Sequence, residues 1–383
     1  MNQVALKDAL EVIKTGKTPP TKERKYFDGD IDWYTPSDLD NGKFLEESER
    51  KISSKAVEDK KAVIFEKDTL LLGCIGNIGK VGITQKRSSS NQQITGLYPK
   101  ENLDVQFLYY WIISNQKTLE HYSNNAVVPI LNNRTLGTIK IPLPPKYQQK
   151  RIVDILDTAD AYRQKTITLL DKYDQLGQSI FLEMFGDPIS NPKGWGKVSI
   201  ESAIKKVSKI NKDFDNHSIE YIDISSIDNH RNVVTDTTKY RLDERPSRAQ
   251  QILKTGDVLF STVRPNLKNI AVNSLDGAIG STGFFVFRTG ERLNNHFLFE
   301  MLKSDSMTES FTKITSGANY PAIKNSELKK FKIIIPPKSI QEEFANKIHL
   351  IQKQKHSLMQ TISQSKNLYN GLLQKAFKGE LTN

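Results

Sequence analysis

The 383-residue chain is 37% hydrophobic and 26% charged, with a formal net charge of +11; these are the proportions of a soluble protein of two or more globular domains, not of a fibrous or disordered chain. Nothing approaches eighteen consecutive apolar residues, and the polar opening MNQVALKDALEVIK is no signal peptide, so neither a membrane span nor secretion is expected. Cys74 stands alone, which excludes an internal disulfide and a cysteine-rich zinc site; the six histidines form no close ligand pair, so no metal is expected, and a cytoplasmic location fits.

From the N-terminus, the basic run TKERK (21–25) suits phosphate contacts and solvated surface equally well. Short aliphatic runs such as AVIF (62–65) and TLLLG (69–73), punctuated by Gly, Asn, Asp and Pro, predict a β-rich first domain. Glu58, Asp59 and Lys60 in EDKK would be the metal-binding and lysine trio of a nuclease, but no motif places a further acidic residue beside them, and solvated charge is the preferred reading. GCIGNIGKVGI (73–83) invites a phosphate-binding loop and fails as one: Gly73 to Gly79 is one residue too long, Gly76 to Gly79 too short, and Val81 replaces the required hydroxyl. SSSNQQITG (88–96) clusters amides, and SNNAVVPILNNR (123–134) sets small polar residues around a proline.

Pro144-Pro145 ends the strand pattern, and a long proline-free segment follows. Its apolar stripe runs through Ile152, Leu156, Ala159, Arg163, Thr166, Leu170, Tyr173, Gly177, Ile180 and Met184, alternately four and three apart. That spacing predicts a helix packed along its length against another.

The chain then repeats itself. IDWYTPSDL (31–39) aligns with IEYIDISSI (219–227), and DTLLLGCIGNIGKVGI (68–83) with DVLFSTVRPNLKNIAV (257–272). NNAVVPILNNRTL (124–136) aligns with SGANYPAIKNSEL (316–328), and IKIPLPPKYQQKRI (139–152) with FKIIIPPKSIQEEF (331–344), so the offset drifts only from 188 to 192. The second stripe, Phe344, Ile348, Ile351, Lys355, Leu358, Ile362, Ser365, Tyr369, Leu372 and Ala376, matches the first at offset 192. Each helix should run about 57–60 Å. Arg163 and Lys355 are polar interruptions suited to setting register.

The expected organisation is a first β-rich domain over 1–143, a helix over 144–186, a second β-rich domain over 187–335 and a helix over 336–383. The expected fold is α+β: two β-rich domains in pseudo-two-fold arrangement, separated by two long antiparallel helices forming a coiled-coil spacer. Two related, non-identical globules suit duplex DNA carrying two unlike half-sites, about 34 Å apart if separated by one turn. The candidate DNA contacts are the paired loops. In the first domain they are Gly76, Asn77, Gly79, Lys80, Asn91, Gln92, Gln93 and Arg134; in the second, Arg264, Asn266, Lys268, Ser281, Thr282, Tyr320 and Lys324. Arg suits guanine, Asn suits adenine, and glycine admits close approach. The same residues also make good β-turns. The basic run SAIKKVSKINK (202–212) suits phosphate. A coiled-coil scaffold that binds only proteins is the rival reading, and it leaves the divergent loops unexplained.

PLPPKYQQKRIVDILD (142–157), FLEMFGDPISNPKGW (181–195) and LLQKAFKGEL (372–381) resemble the conserved segments of specificity subunits of type I restriction–modification enzymes, in the order that family uses. The departure is IIIPPKSIQEEF (333–344), which lacks the first proline of P-x-P-P. The resemblance implies a non-catalytic subunit with two target recognition domains reading a bipartite site, and paired helices that set the gap. It implies docking of two modification subunits that methylate adenine with S-adenosylmethionine, and of restriction subunits that use ATP and magnesium. No cofactor is expected in this chain.

Overall fold

The computed structural model describes residues 2–123, 127–211, 214, 216–317 and 320–381. Residues 124–126, 212 and 318–319, which fall in segments discussed above, lie outside the described residues. The chain divides into two units, one formed by residues up to Ile167 with those from Gln360 onward, the other by Thr168–Met359. The division cuts through both long helices. Each half-helix groups with the β-rich core it packs on, whereas the sequence pattern changes at the Pro-Pro junctions.

The first unit begins with β1 (Gln3–Ala5), α1 (Leu6–Ala9), β2 (Leu10–Thr15) and β3 (Phe27–Tyr34). Next come β4 (Phe44–Leu45), β5 (Lys51–Ile52), α2 (Ser54–Glu58), β6 (Ile64–Phe65), β7 (Leu70–Gly73) and β8 (Val81–Thr84). β9 (Ser88–Ser90), β10 (Ile94–Pro99), α3 (Val105–Ser114), α4 (Gln116–His121), α5 (Asn133–Thr138) and β11 (Lys140–Pro142) complete the globule, and α6 (Lys146–Phe185) leaves it. Its strands make a five-stranded sheet ordered β2-β10-β7-β8-β4, a four-stranded sheet ordered β5-β3-β9-β6 and the pair β1-β11.

The second unit opens with β12 (Lys197–Ser199), α7 (Ile200–Ala203), β13 (Ile204–Lys205), β14 (Ser218–Ile222), β15 (Ile227–Asp228), β16 (Val233–Val234) and β17 (Thr238–Arg241). β18 (Ala249–Ile252), β19 (Val258–Ser261), β20 (Ile270–Val272), β21 (Ile279–Ser281) and β22 (Phe284–Thr289) follow. Then come α8 (Asn295–Lys303), α9 (Asp305–Lys313), α10 (Asn325–Lys330), β23 (Lys332–Ile334) and α11 (Lys338–Lys378). Its sheets are ordered β13-β22-β19-β20, β17-β14-β21-β18 and β12-β23, with β15-β16 added. Strand for strand, these are the orders of the first unit. Even the single parallel pairing inside the second sheet recurs, as Trp33↔Ser89 and Tyr221↔Ile279. The duplication read from the sequence is therefore a duplication of topology. The first unit differs by β4, which pairs parallel to β8 at the sheet edge.

α6 and α11 span 40 and 41 residues, about 60 Å each at the helical rise. In the first unit the opening turns of α6 meet the closing turns of α11: Ile152 and Leu156 share a core with Tyr369, Leu373, Ala376 and Phe107. In the second unit Phe181 and Phe185, late in α6, share a core with Phe344, Ile348 and Ile351 at the start of α11. The helices are thus antiparallel within each unit. Ala159, Ile180, Leu358, Ile362 and Leu372 are half-buried along the stripe, and Leu170 is buried. The two polar interruptions are both engaged. Arg163 lies over the Tyr369 ring at 5.4 Å, and Lys355 pairs with Asp174 at 2.6 Å.

Each helix start is stitched to its globule by one fully buried glutamine. Gln149 donates to the carbonyls of Asn102 (2.9 Å) and Pro144 (2.8 Å) and accepts from the Asp104 N–H (2.8 Å). Gln341 donates to Arg292 (3.0 Å) and Pro336 (2.7 Å) and accepts from Asn294 (2.9 Å). Asp104 and Asn294 in turn cap α3 and α8. A buried amide is tolerated only with such complete pairing.

Candidate nucleic-acid interface

β10 runs antiparallel to β2 and β7, with Thr95 opposite Thr15 and Ile94 opposite Gly73. Antiparallel order brings the end of β2, the end of β7 and the start of β10 to one edge of the sheet. The loops beyond that edge are hydrogen-bonded into a weave. Cys74 N–H donates to Gln93 O (2.8 Å), Gly76 N–H to Pro129 O (3.0 Å), and Leu131 N–H to Cys74 O (2.9 Å). The second unit repeats all three bonds at equivalent places in its fold, one residue off the sequence alignment at the end of β7 and β19. Thr262 donates to Gly283 (3.2 Å), Arg264 to Pro321 (2.8 Å), and Ile323 to Thr262 (2.9 Å). The two loops singled out in each repeat, far apart in the chain, form one structural lip.

 

Backbone conformation is shared as well. Gly76 (φ +77°) is equivalent to Arg264 (φ +49°) in this bonding, although the sequence alignment sets it opposite Pro265, and Gly79 (φ +89°) aligns with Lys268 (φ +51°). All four are left-handed, a region that disfavours any residue with a Cβ. The side chains on this common frame differ. Asn77 is exposed, and Gly76 leaves open space, since a Cβ there would meet nothing within 4 Å. In the second unit Arg264 and Asn266 are exposed on either side of Pro265. The Arg264 guanidinium lies over the Tyr320 ring at 4.9 Å. Tyr320 aligns with Val128, and both are exposed. Arg134 and Lys324 are exposed at the starts of α5 and α10. Lys80 pairs with Asp40 (2.5 Å) and Lys268 with Asp305 (2.6 Å). Such surface pairs are worth at most about 1 kcal/mol, so a phosphate can displace them.

Several expected contacts serve the frame instead. Asn91 is buried: its amide donates to Gln93 Oε1 (3.0 Å) and accepts from the Gln93 N–H (3.0 Å), which closes the turn before β10. Gln93 is committed to the same turn, while Gln92 is exposed and hydrogen-bonded to Thr18. Ser281 is buried and accepts from the Gly283 N–H (3.2 Å), leaving Thr282 exposed beside it. Gly79 is buried against α4, where Gln116 donates to its carbonyl at 3.0 Å. Asn91, Gln93, Ser281 and Gly79 thus each support the loop frame, since short polar residues and glycine suit a tight turn as well as a base edge. Cys74 lies buried at the base of the lip, and burial pushes its thiol up to about 12. Of the rival trio, Glu58 and Asp59 both pair with Lys55 (3.6 and 3.0 Å), and Asp59 also accepts from Tyr26 (3.2 Å).

Two features escaped the sequence reading. Val128 was quoted within a loop but not singled out, although its alignment with Tyr320 marks it. Gln149 and Gln341 also align, and their shared position after Pro-Pro was the available signal.

Residues 1–172 and 192–365 each match the family described as "Type I restriction modification DNA specificity domain". The MjaIX specificity subunit of Methanocaldococcus jannaschii is 26% identical over 98% of this chain and 92% of its own length. The EcoDI specificity subunit of Escherichia coli is 20% identical over 73% and 71%. Among solved structures, the S subunit of a type I system from M. genitalium superposes with a TM-score of 0.55 at 14% identity, over 98% of this chain and 96% of that one. A chain from a study of complex assembly in the type I system gives 0.60 at 16% identity, over 99% and 98%. With both repeats matched and the topology duplicated, the chain belongs to the type I restriction–modification specificity family, as a non-catalytic, DNA-recognising subunit.

Proposed function

We propose that each unit reads one half of a bipartite, asymmetric duplex site through its woven lip. The observation that carries this reading is the identity of the three lip hydrogen bonds in the two units beside the divergence of the side chains they hold. A shared frame with different readers suits two unlike DNA words. Base contacts specify, and the flanking lysines and Arg134 position the duplex on its phosphates. α6 and α11 each continue unbroken from one unit into the other, which supports a role in setting the gap between half-sites.

The proposal includes docking of modification and restriction subunits in the cytoplasm. They supply the chemistry with S-adenosylmethionine, ATP and magnesium. An apolar groove on the helix pair of the first unit, lined by Ile155, Ala159, Tyr162, Leu368 and Leu372, supports such docking. Exchanging residues 1–143 for the corresponding module of another family member should change one half-site of the methylated sequence and leave the other intact. Mapping methylated adenines in host DNA reads this out; a change in both half-sites defeats the modular reading.

A further inference from the structure

We infer that the second unit selects a guanine in its half-site through Arg264, with Tyr320 holding the guanidinium in plane, and that the first unit lacks this reader. The inference rests on the lip being the DNA-facing edge.

Arg264 occupies a left-handed position that its counterpart fills with Gly76. A side chain kept where the backbone favours glycine marks a functional candidate. The guanidinium lies over the Tyr320 ring at 4.9 Å, an arrangement that uses its face, whereas base reading uses its edge. The Arg264 N–H donates to Pro321 O at 2.8 Å, which fixes the arginine backbone to the segment that carries the tyrosine. In the major groove guanine presents two acceptors side by side, O6 and N7, to which a planar fork donates two parallel hydrogen bonds. Adenine offers one acceptor beside a donor there, so it cannot take both. In the first unit Gly76 and Val128 replace arginine and tyrosine, so neither the fork nor its support exists there.

The decisive variant is Arg264→Gly, which removes the fork and installs the residue that the backbone prefers. The full chain in its assembled complex would select from duplexes randomised at both half-sites. The wild type should enrich guanine at one position of one half-site. Arg264→Gly should lose that preference by roughly 5- to 150-fold, the range for a bidentate pair, with the other positions and the melting temperature retained. Arg264→Lys should not restore it, because an ammonium has no planar fork. Tyr320→Ala should weaken it at the same position. Retained guanine preference in Arg264→Gly, or an equal loss on every sequence, overturns the inference while leaving bipartite recognition standing. Failure of the wild type to select any bipartite site overturns both.

Discussion

The lips of the two units are built on the same backbone bonds and finished with opposite chemistry. One presents Gly76 and Val128, the other Arg264 with its guanidinium over the Tyr320 ring. The frame depends on main-chain donors and acceptors, which every residue except proline supplies in full. Side chains above it can therefore change without refolding the loop. The cores differ in the same manner. The second unit closes its helix–globule seam with Phe181, Phe185, Phe297 and Phe344, the Phe185 and Phe297 centroids being 4.6 Å apart. The first places Leu373, Phe377, Phe107 and Ile152 at the aligned positions, so the Phe185–Phe297 pair recurs as Phe377–Phe107 at 5.3 Å, while Phe181 and Phe344 give way to smaller aliphatics. What is kept is the hydrogen-bonded scaffold; what varies is volume and surface.

The scaffold can be tested where the units agree. Gln149→Ala and Gln341→Ala each remove three buried hydrogen bonds and should lower stability by about 1–3 kcal/mol. Hydrogen exchange resolved by unit should place each loss in its own unit, with similar size. A difference above about 1 kcal/mol would break the equivalence of the two junctions.

Much of this architecture was legible in the sequence because it follows from patterning. The repeat survives in the order of apolar runs and in the Pro-Pro boundaries, and the helix stripe survives in its spacing. The stripe was less exact at the end of α6. There Phe181 and Phe185 are fully buried while Ile180 and Met184 are half-buried, because the helix meets a globule as well as its partner and needs a wider apolar face. Leu373, not Leu372, is the buried residue late in α11 for the same reason. The lip was legible only in pieces. Its bonds join Cys74 to Leu131 and Thr262 to Ile323, and no local pattern encodes so distant a pairing. Asn91 and Ser281 are ambiguous in sequence because turn formers and base readers are drawn from the same residue types.

The comparison can be sharpened by transplanting one lip onto the other. Gly76→Arg with Val128→Tyr should give the first unit the reader of the second. A Cβ at Gly76 meets nothing within 4 Å, so the cost should be backbone strain alone, about 1–2 kcal/mol for a left-handed residue with a side chain. Site selection should then show a new guanine preference in the first half-site. A folded double variant with an unchanged first half-site would mean that the frames, although bonded alike, face the duplex differently.

Acid should separate the units by the smallest margin. Asp32 is fully buried in the first unit, and its aligned residue, Glu220, is half-buried and lies 3.7 Å from Lys239. Burial works against ionisation of Asp32, but Lys86 at 2.7 Å and the Ser48 backbone and hydroxyl donors at 3.0 Å outweigh it. The carboxyl is therefore held below its ordinary value of 3.8. A carboxylate more acidic in the folded than in the unfolded chain adds stability above the unfolded value, and loses it as pH falls through the folded one. Removing the ammonium in Lys86→Met should raise the folded value, so the first unit should begin to lose protection at a higher pH while the second does not move. An unshifted acid transition in that variant would assign the stabilisation of Asp32 to the two Ser48 donors together with Lys51, whose ammonium lies 4.0 Å from the carboxylate.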